Sequence, residues 1–507
     1  MPTAAHLPKP KPSVGNATGE SAADDAKGGI TGTIDRNALL IVVLAACAAV
    51  LASNVRSATG PDTWYSLMAG RLIWNNGLPH HDSVASLTLG RTWVDQEWLG
   101  HLGIYGLLAA GGWALALLTG VVGYTAAFAV SAVGARVRGG SERAVAIVVL
   151  VAFVTSGSNT QLRAQTFAYP LFALTLLLLL GDDRAPSRRV YLTLPLLVVW
   201  ANVHGSVLLG AALVALYGAI SAVRGAGGRR PASGLPRAAA LILLPWACVL
   251  ASPYGLALPG YYRRVFGNSA IRRAADEWGR STFGNQPVFF VLLAVAVVVA
   301  AVAARRGFRP LFPLAVVAST AVFGFVAVRN VVWFALAIAA ILPSLLDVAL
   351  PSHGAPRSRN FNLLVAGFSL VFVLGVAARV GAKADTWVTQ KYPPRLAAAV
   401  SRAASADPEA RILANEAWAD WLLYKDPSLA GRIAYDIRYE LLTEGELDRL
   451  FTFQREQGPR WQTVAASFPL LVLDRGTDKG AVRWFADRPS TRVLARTGGG
   501  VILRRGR

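Results

Sequence analysis

The chain consists of apolar blocks separated by polar connections, and every second connection is basic. Blocks at 37–55, 113–135, 144–158, 166–180, 190–201, 207–223, 238–251, 288–304, 310–328, 331–350 and 361–379 give about eleven candidate membrane helices. Several are shorter than the ~20 residues a straight crossing needs. With 54% hydrophobic and 16% charged residues, the 507-residue chain is a polytopic membrane protein. Alternating the blocks from a cytoplasmic N-terminus puts Arg136, Arg138 and Arg143 on one side with Arg184, Arg188 and Arg189. The same side takes Arg224, Arg229, Arg230 and Arg237, then Arg305, Arg306 and Arg309, then Arg357 and Arg359, as the positive-inside rule requires. The connections 56–98, 159–165, 202–206, 252–287 and 329–330 then face outward, with everything after Asp385. The stretch 97–110 ends at Gly111-Gly112 and reads as an interfacial helix, because counting it as a span would turn the basic 136–143 connection outward.

The net charge of +21 would suit nucleic acid in a soluble chain, but the basic residues are clustered between apolar blocks, so nucleic acid is discounted as a partner. Cys47 and Cys248 both fall inside blocks, which rules against a disulfide framework or a thiolate metal site. The excess of arginine over lysine hints at a GC-rich bacterial genome. Residues 1–36 are polar and aperiodic and read as a disordered cytoplasmic tail, and 37–384 as the transmembrane domain with a first outer loop at 56–98. Residues 385–507 read as a soluble extracytoplasmic α/β domain. Strands are expected at 411–415, 432–436, 469–474, 491–496 and 501–504, and helices near 394–405, 444–457 and 479–487. The fold class is mainly α, with some parallel pairing in the small C-terminal sheet.

The chemistry gathers in the first outer loop, PDTWYSLMAGRLIWNNGLPHHDSVASLTLGRTWVDQEWLGH. Asp62 opens a helix over 63–74 whose Trp64, Leu67, Leu72, Ile73 and Trp74 suit a lipid interface; the carboxylate is a helix cap, a catalytic group, or both. Asp95 and Glu97 stand two residues apart at another helix start. His80, His81 and Asp82 follow Gly77 and Pro79, as a turn capped by Asp82 or as ligands of a divalent metal. A dense carboxylate motif and H-x-x-x-H spacing are both absent. On the same side lie Arg163 and Gln165, Asn202 and His204, Asp276 and Glu277, and Arg329 and Asn330. An arginine beside an apolar segment either snorkels or meets an anion, and several together make a phosphate pocket.

The first-loop block, with LRAQ, WANVHG, SPYG, DEW and VRN after it and ANEAWADWLLYKDP and PLLVLD in the tail, resembles the GT-C superfamily over most of the chain. These are polytopic glycosyltransferases that use lipid-phosphate-linked sugars. The resemblance implies that an acidic residue of the first outer loop is the base or the metal ligand, which maps onto Asp62, with Asp95 and Glu97 as second candidates. Asp62 is followed by Thr63 where better-known members carry a paired acidic motif. Arg163, Asn202, His204, Arg329 and Asn330 are then the donor-phosphate and substrate-binding candidates. The implied activity is transfer of a sugar from a polyprenyl-phosphate donor to an envelope glycan, lipid or protein at the plasma membrane. A multi-pass transporter is the main rival, although the blocks at 37–55, 113–135 and 288–304 carry no charge of the kind coupled transport uses. A non-catalytic envelope sensor or assembly protein with the same fold is the third reading.

Overall fold

The computed structural model describes residues 29–157, 160–225, 234–274, 276–351 and 358–506. Most of the expected tail lies outside these, but its last part, Gly29–Arg36, is a helix held by Arg359 on Thr31 and Asn362 on Asp35. Each of the eleven apolar blocks is helical. Among the described residues six helices are long and apolar enough to cross a membrane, and Gly29–Arg36 with Ala38–Ser53, bent by 73°, would make a seventh crossing. The other four, Glu142–Thr155, Thr193–Val203, Gly234–Val249 and Leu311–Val326, run 11 to 16 residues. At ~1.5 Å per residue these fall short of a ~30 Å hydrocarbon layer, so length alone establishes six or seven crossings among the described residues and does not establish the count of eleven.

Val331–Ala349 is apolar on all sides and lies at the centre of the bundle, where Trp333 packs on Tyr169, Phe172 and Trp200 at 5.2–6.0 Å. Arg359–Lys391 is its opposite, with Leu364, Phe368 and Val371 about 70% exposed, a face suited to lipid. This one helix carries the chain past position 384, so the expected domain boundary falls within continuous structure. The basic connections meet at one end of the bundle. Arg136 bonds Asn37, Arg224 pairs with Asp183 at 2.6 Å, Arg237 with Asp182 at 2.5 Å, and Arg306 donates to Val348 O. Arg229, Arg230 and Arg357 lie outside the described residues.

The opposite end is built from the first loop and the C-terminal unit together. Pro61–Asn76 is a helix with Gly60 as N-cap and Pro61 at its first position. Thr63 Oγ1 ties its start to Leu162 O at 2.7 Å. The lipid-facing reading of this helix is corrected: Trp64 and Leu67 are almost wholly buried, and Trp74 alone of the five is strongly exposed. The cause is the unexpected helix Glu416–Lys425, whose Trp421 joins Trp113 and Tyr392 around Trp64 at 4.9–6.4 Å.

Four strands form the sheet, β1 (Ile412–Ala414), β2 (Leu470–Asp474), β3 (Thr491–Thr497) and β4 (Gly500–Arg505), in the order β1-β2-β4-β3. β1 and β2 are parallel and the other pairs antiparallel. The segment 432–436, expected as a strand, makes only one bridge, Ile412 to Ile433. It is extended between β1 and the first loop: Ala434 N donates to Ile412 O, while Ser86 N and Leu87 N donate to Ile433 O and Ala434 O. Beside it Arg438, fully buried, bonds Asp436 and Asp82 at 2.5 and 2.8 Å and lies over the Trp93 ring at 4.2 Å.

The Trp98–Val137 helix breaks where expected, at Gly111-Gly112, whose backbone is non-helical. Two glycines let its first arm pack closely. A Cβ on Gly70 would come 2.4 Å from His101 O, and one on Gly100 would come 2.7 Å from Ala164 Cβ and 2.9 Å from Val203 O. The arm therefore lies against the Asp62 helix, the Arg163 segment and the start of the His204 turn. Gly70→Ala is expected to destabilise the fold by about 1–3 kcal/mol through overpacking, read as a lowered thermal midpoint, while Gly106→Ala, where the added Cβ meets open space, leaves the midpoint unchanged or raises it.

Candidate active site

Arg163 sits in the turn between 160 and the helix Gln165–Arg184, with 6% of its side chain exposed. A buried guanidinium is tolerated only when paired. Its Nη1 reaches Asp62 Oδ2 at 3.3 Å and Glu277 Oε2 at 3.0 Å. Glu277 Oε1 takes a second cation, Arg329 Nη1, at 3.2 Å, and Arg329 lies over the Trp278 ring at 4.4 Å. Residues from four sequence-distant segments thus form one chain, Asp62–Arg163–Glu277–Arg329.

Asp62 occupies the first turn of its helix and does not cap it. Its side chain keeps 37% exposure, yet protein surrounds it on most sides. That burial raises its pKa, Arg163 opposes the rise, and Glu277 adds to it. For Glu277 burial also disfavours the charge, but Arg329 and Arg163 overcome it and hold the carboxyl at about 2.

Beside this chain lies a second array. Glu97 is at the N-cap position of Trp98–Val137, with no cap bond of its own. His204 Nε2 stands 3.3 Å from Glu97 Oε1, His101 Nε2 stands 3.7 Å from Glu97 Oε2, and His101 Nδ1 lies 3.0 Å from Asp95. His204 Nδ1 accepts from Ser206 N at 3.1 Å and lies 2.7 Å from Ser206 Oγ, which itself accepts from Trp200 Nε1. With Nδ1 an acceptor, the proton is on Nε2 and points at Glu97. Burial lowers the His204 pKa to about 4, against the pull of Glu97 and with the repulsion of Arg329 and Arg163, so the ring is neutral near pH 7. Glu97 resists burial and is held at about 2, by His204 and His101 first.

Of the expected residues, Asp62, Asp95, Glu97, Arg163, His204 and Arg329 meet in these arrays. Asn202 supports them from behind: it accepts from Trp98 Nε1 and donates to Ala251 O, both at 2.8 Å. Asn330 only closes its own turn on Phe323 O, and Gln165 is buried below the site. His80, His81 and Asp82 do not converge. His80 packs on Tyr254, His81 lies 3.3 Å from Gly90 O, and Asp82 caps its turn at Val84 N while holding Arg438. Among the described residues no group of three His, Cys, Asp or Glu could hold a metal ion. Between Asp62 and Glu277 stands a guanidinium, so these two carboxylates do not fit one either. The side chain of Asp276 lies outside the described residues. Glu277 was read from the sequence only as one of the outer-side polar residues, with no role of its own, and His101 and Trp278 were not singled out, although the DEW motif and the four-residue step from Glu97 to His101 were signals for them.

The depressed pKa values set the acid limb of stability. A buried neutral histidine costs stability as pH falls from the ordinary 6.5 towards about 4, because the unfolded ring protonates first. Glu97 and Glu277 contribute stability that is present above 4.5 and lost as pH falls towards about 2. In thermal scans, His204→Gln is expected to flatten the slope in the upper window and Glu97→Gln that in the lower.

The chain matches no known family model and no curated protein by sequence. Among solved structures it is similar to ArnT from Cupriavidus metallidurans in the apo state, at 14% identity and a TM-score of 0.50, over 92% of this chain and 97% of that one. The same protein bound to undecaprenyl phosphate gives 14% and 0.48 over the same shares. The archaeal oligosaccharyltransferase AglB from Archaeoglobus fulgidus, in complex with an inhibitory peptide and a dolichol-phosphate, gives 12% and 0.48 over 86% of this chain and 69% of that one. At such identity it is the architecture alone that is shared, and it is shared nearly end to end: the chain has the fold of ArnT.

Proposed function

We propose that the protein is an integral-membrane glycosyltransferase that moves a sugar from a polyprenyl-phosphate donor to an envelope glycan, lipid or protein. The observation that carries this reading is the chain Asp62–Arg163–Glu277–Arg329, which sets a partly exposed carboxylate beside two guanidiniums at the end of an ArnT-like bundle. ArnT, similar in fold, has been seen with undecaprenyl phosphate, and AglB with a dolichol-phosphate. The alternation of basic connections supports an extracytoplasmic site at the plasma membrane with a cytoplasmic N-terminus.

In this reading Asp62 takes the proton of an acceptor hydroxyl as that oxygen bonds the anomeric carbon. The carbon–oxygen bond to the lipid phosphate breaks, and its electron pair stays on the phosphate. A single displacement inverts the anomeric centre. Arg163 and Arg329 hold the charge growing on the leaving phosphate, and Glu277, bridging them, offsets their mutual repulsion and holds the two guanidiniums side by side. Glu97, with the Nε2–H of His204 fixed on it, orients the sugar hydroxyls. A raised pKa suits Asp62 to its task, since a stronger base takes the proton more readily. The polyprenyl chain stays in lipid while its head group meets water at the bundle end.

With purified protein and a panel of polyprenyl-phosphate monosaccharides, Asp62→Asn is expected to lower kcat, measured per folded protein, by at least about 100-fold, and to lower the thermal midpoint as well, because it removes one of the two carboxylates that meet buried Arg163. Turnover that survives this change would remove Asp62 from the role. Activity should rise with pH through an acid limb above the ordinary carboxylate range. Glu277→Gln should move that limb to lower pH, because it removes a like charge from Asp62 and frees Arg163 to pair with it.

A further inference from the structure

A groove opens between the helix Leu258–Gly267 and the 440–444 segment of the C-terminal unit, its polar lining Arg263, Arg264, Asn268, Glu440, Thr443 and Glu444. The neighbouring arginines are committed: Arg273 to Glu444 and Asp448 at 3.2 and 3.0 Å, Arg272 to Phe266 O at 3.0 Å, and Arg91 to Glu446 at 2.6 Å. Arg263 and Arg264 are exposed in the groove, and among the described residues their side chains hold no hydrogen bond or ion pair. Two adjacent guanidiniums in a walled groove suit an anion with several oxygens. Two carboxylates share the groove with them: burial pushes Glu440 up to about 7, and Glu444 is already engaged by Arg273 and Ser269.

The helix that carries Arg263 and Arg264 also approaches the candidate active site, through the two tyrosines just before them. Tyr261 lies in the fields of both Glu440 and Glu97. Tyr262 Oη and Gln96 Oε1 are buried without a hydrogen-bond partner, and a Cβ on Gly205, next to His204, would come 3.6 Å from the Tyr262 ring and 3.1 Å from Gln96 Oε1. Groove and site thus share one helix, with Tyr262 beside the turn that follows His204 and Arg263 and Arg264 in the groove. The same helix shows where the ligand comes from: Leu256 just before it and Phe266 near its end are 87% and 52% exposed, an arrangement that seats in a membrane interface with the arginines above it.

We propose that this groove binds the phosphate-bearing headgroup of a membrane lipid and presents it to the site as the acceptor. The word acceptor rests on the glycosyltransferase reading; the binding site itself does not. The test uses the full chain in detergent with phosphatidylglycerol as probe, read by native mass spectrometry against phosphatidylcholine. Wild type should retain one phosphatidylglycerol preferentially. Arg263→Gln with Arg264→Gln should weaken retention by about tenfold or more, and Arg449→Gln, an exposed arginine elsewhere on the C-terminal unit, should not. Equal retention by the double variant overturns the site. Displacement of the lipid by an equal concentration of soluble glycerol phosphate overturns the lipid source in favour of a free phosphate. Where turnover is measurable, the double variant should raise KM for the acceptor lipid without changing kcat or undecaprenyl-phosphate binding. An unchanged KM overturns the acceptor role, whereas absence of turnover with every donor counts against the glycosyltransferase reading and leaves the retained lipid standing.

Discussion

A guanidinium removed from water has to be met by carboxylates, and the burial of Arg163 is the constraint from which the arrangement of the bundle end follows. Its side chain is 6% exposed and its two partners come from segments more than 100 residues away on either side. Leaving either partner out would strand charge in a poorly solvated place, at a cost of several kcal/mol. The pairing therefore selects one mutual position for the Asp62 helix, the turn before Gln165 and the Glu277 segment. Arg329 is then drawn in by the free oxygen of Glu277, so four segments are located by one charge.

The same logic recurs at the seam with the C-terminal unit. Arg438 is buried between Asp436 and Asp82, over Trp93, and so locks the far half of the first loop to a segment more than 350 residues later. Trp64 is enclosed from the same side by Tyr392 and Trp421. The C-terminal unit is thus not an appendage: it supplies the missing half of the first loop's core. Asp62 and Glu97 sit on the rims of a loop that is fixed at both ends, which gives the pre-organisation that charge stabilisation at a reacting centre demands.

Much of this was legible in the sequence, and the limits have physical causes. Apolar blocks marked every bundle helix because lipid and protein interior both select such residues. They could not mark crossing length, because a short helix buried in protein carries the same composition as one in lipid. The residues of the first loop pointed to the site because charge beside an apolar block is costly enough to need a reason. Trp64 and Leu67 were misassigned because apolar side chains at helical spacing look alike whether lipid or another module covers them. Asp82, grouped with its histidine neighbours as a metal candidate, instead answers Arg438; nothing local to either residue encodes a partner so far along the chain. Residues 432–436 have the composition of a strand, but they pair with the first loop as much as with the sheet.

The break at Gly111-Gly112 separates two arms with different surroundings. Past it, the 113–137 arm belongs to the bundle core, where Tyr124 packs on Tyr169 and donates to Ser156 O and Arg136 bonds Asn37. Before it, the arm is clamped by close backbone contacts and by the Asp95, His101 and Glu97 array. The two glycines thus let one helix serve two masters: the direction of the arm that carries the carboxylates at the bundle end is set independently of the arm that fills the core.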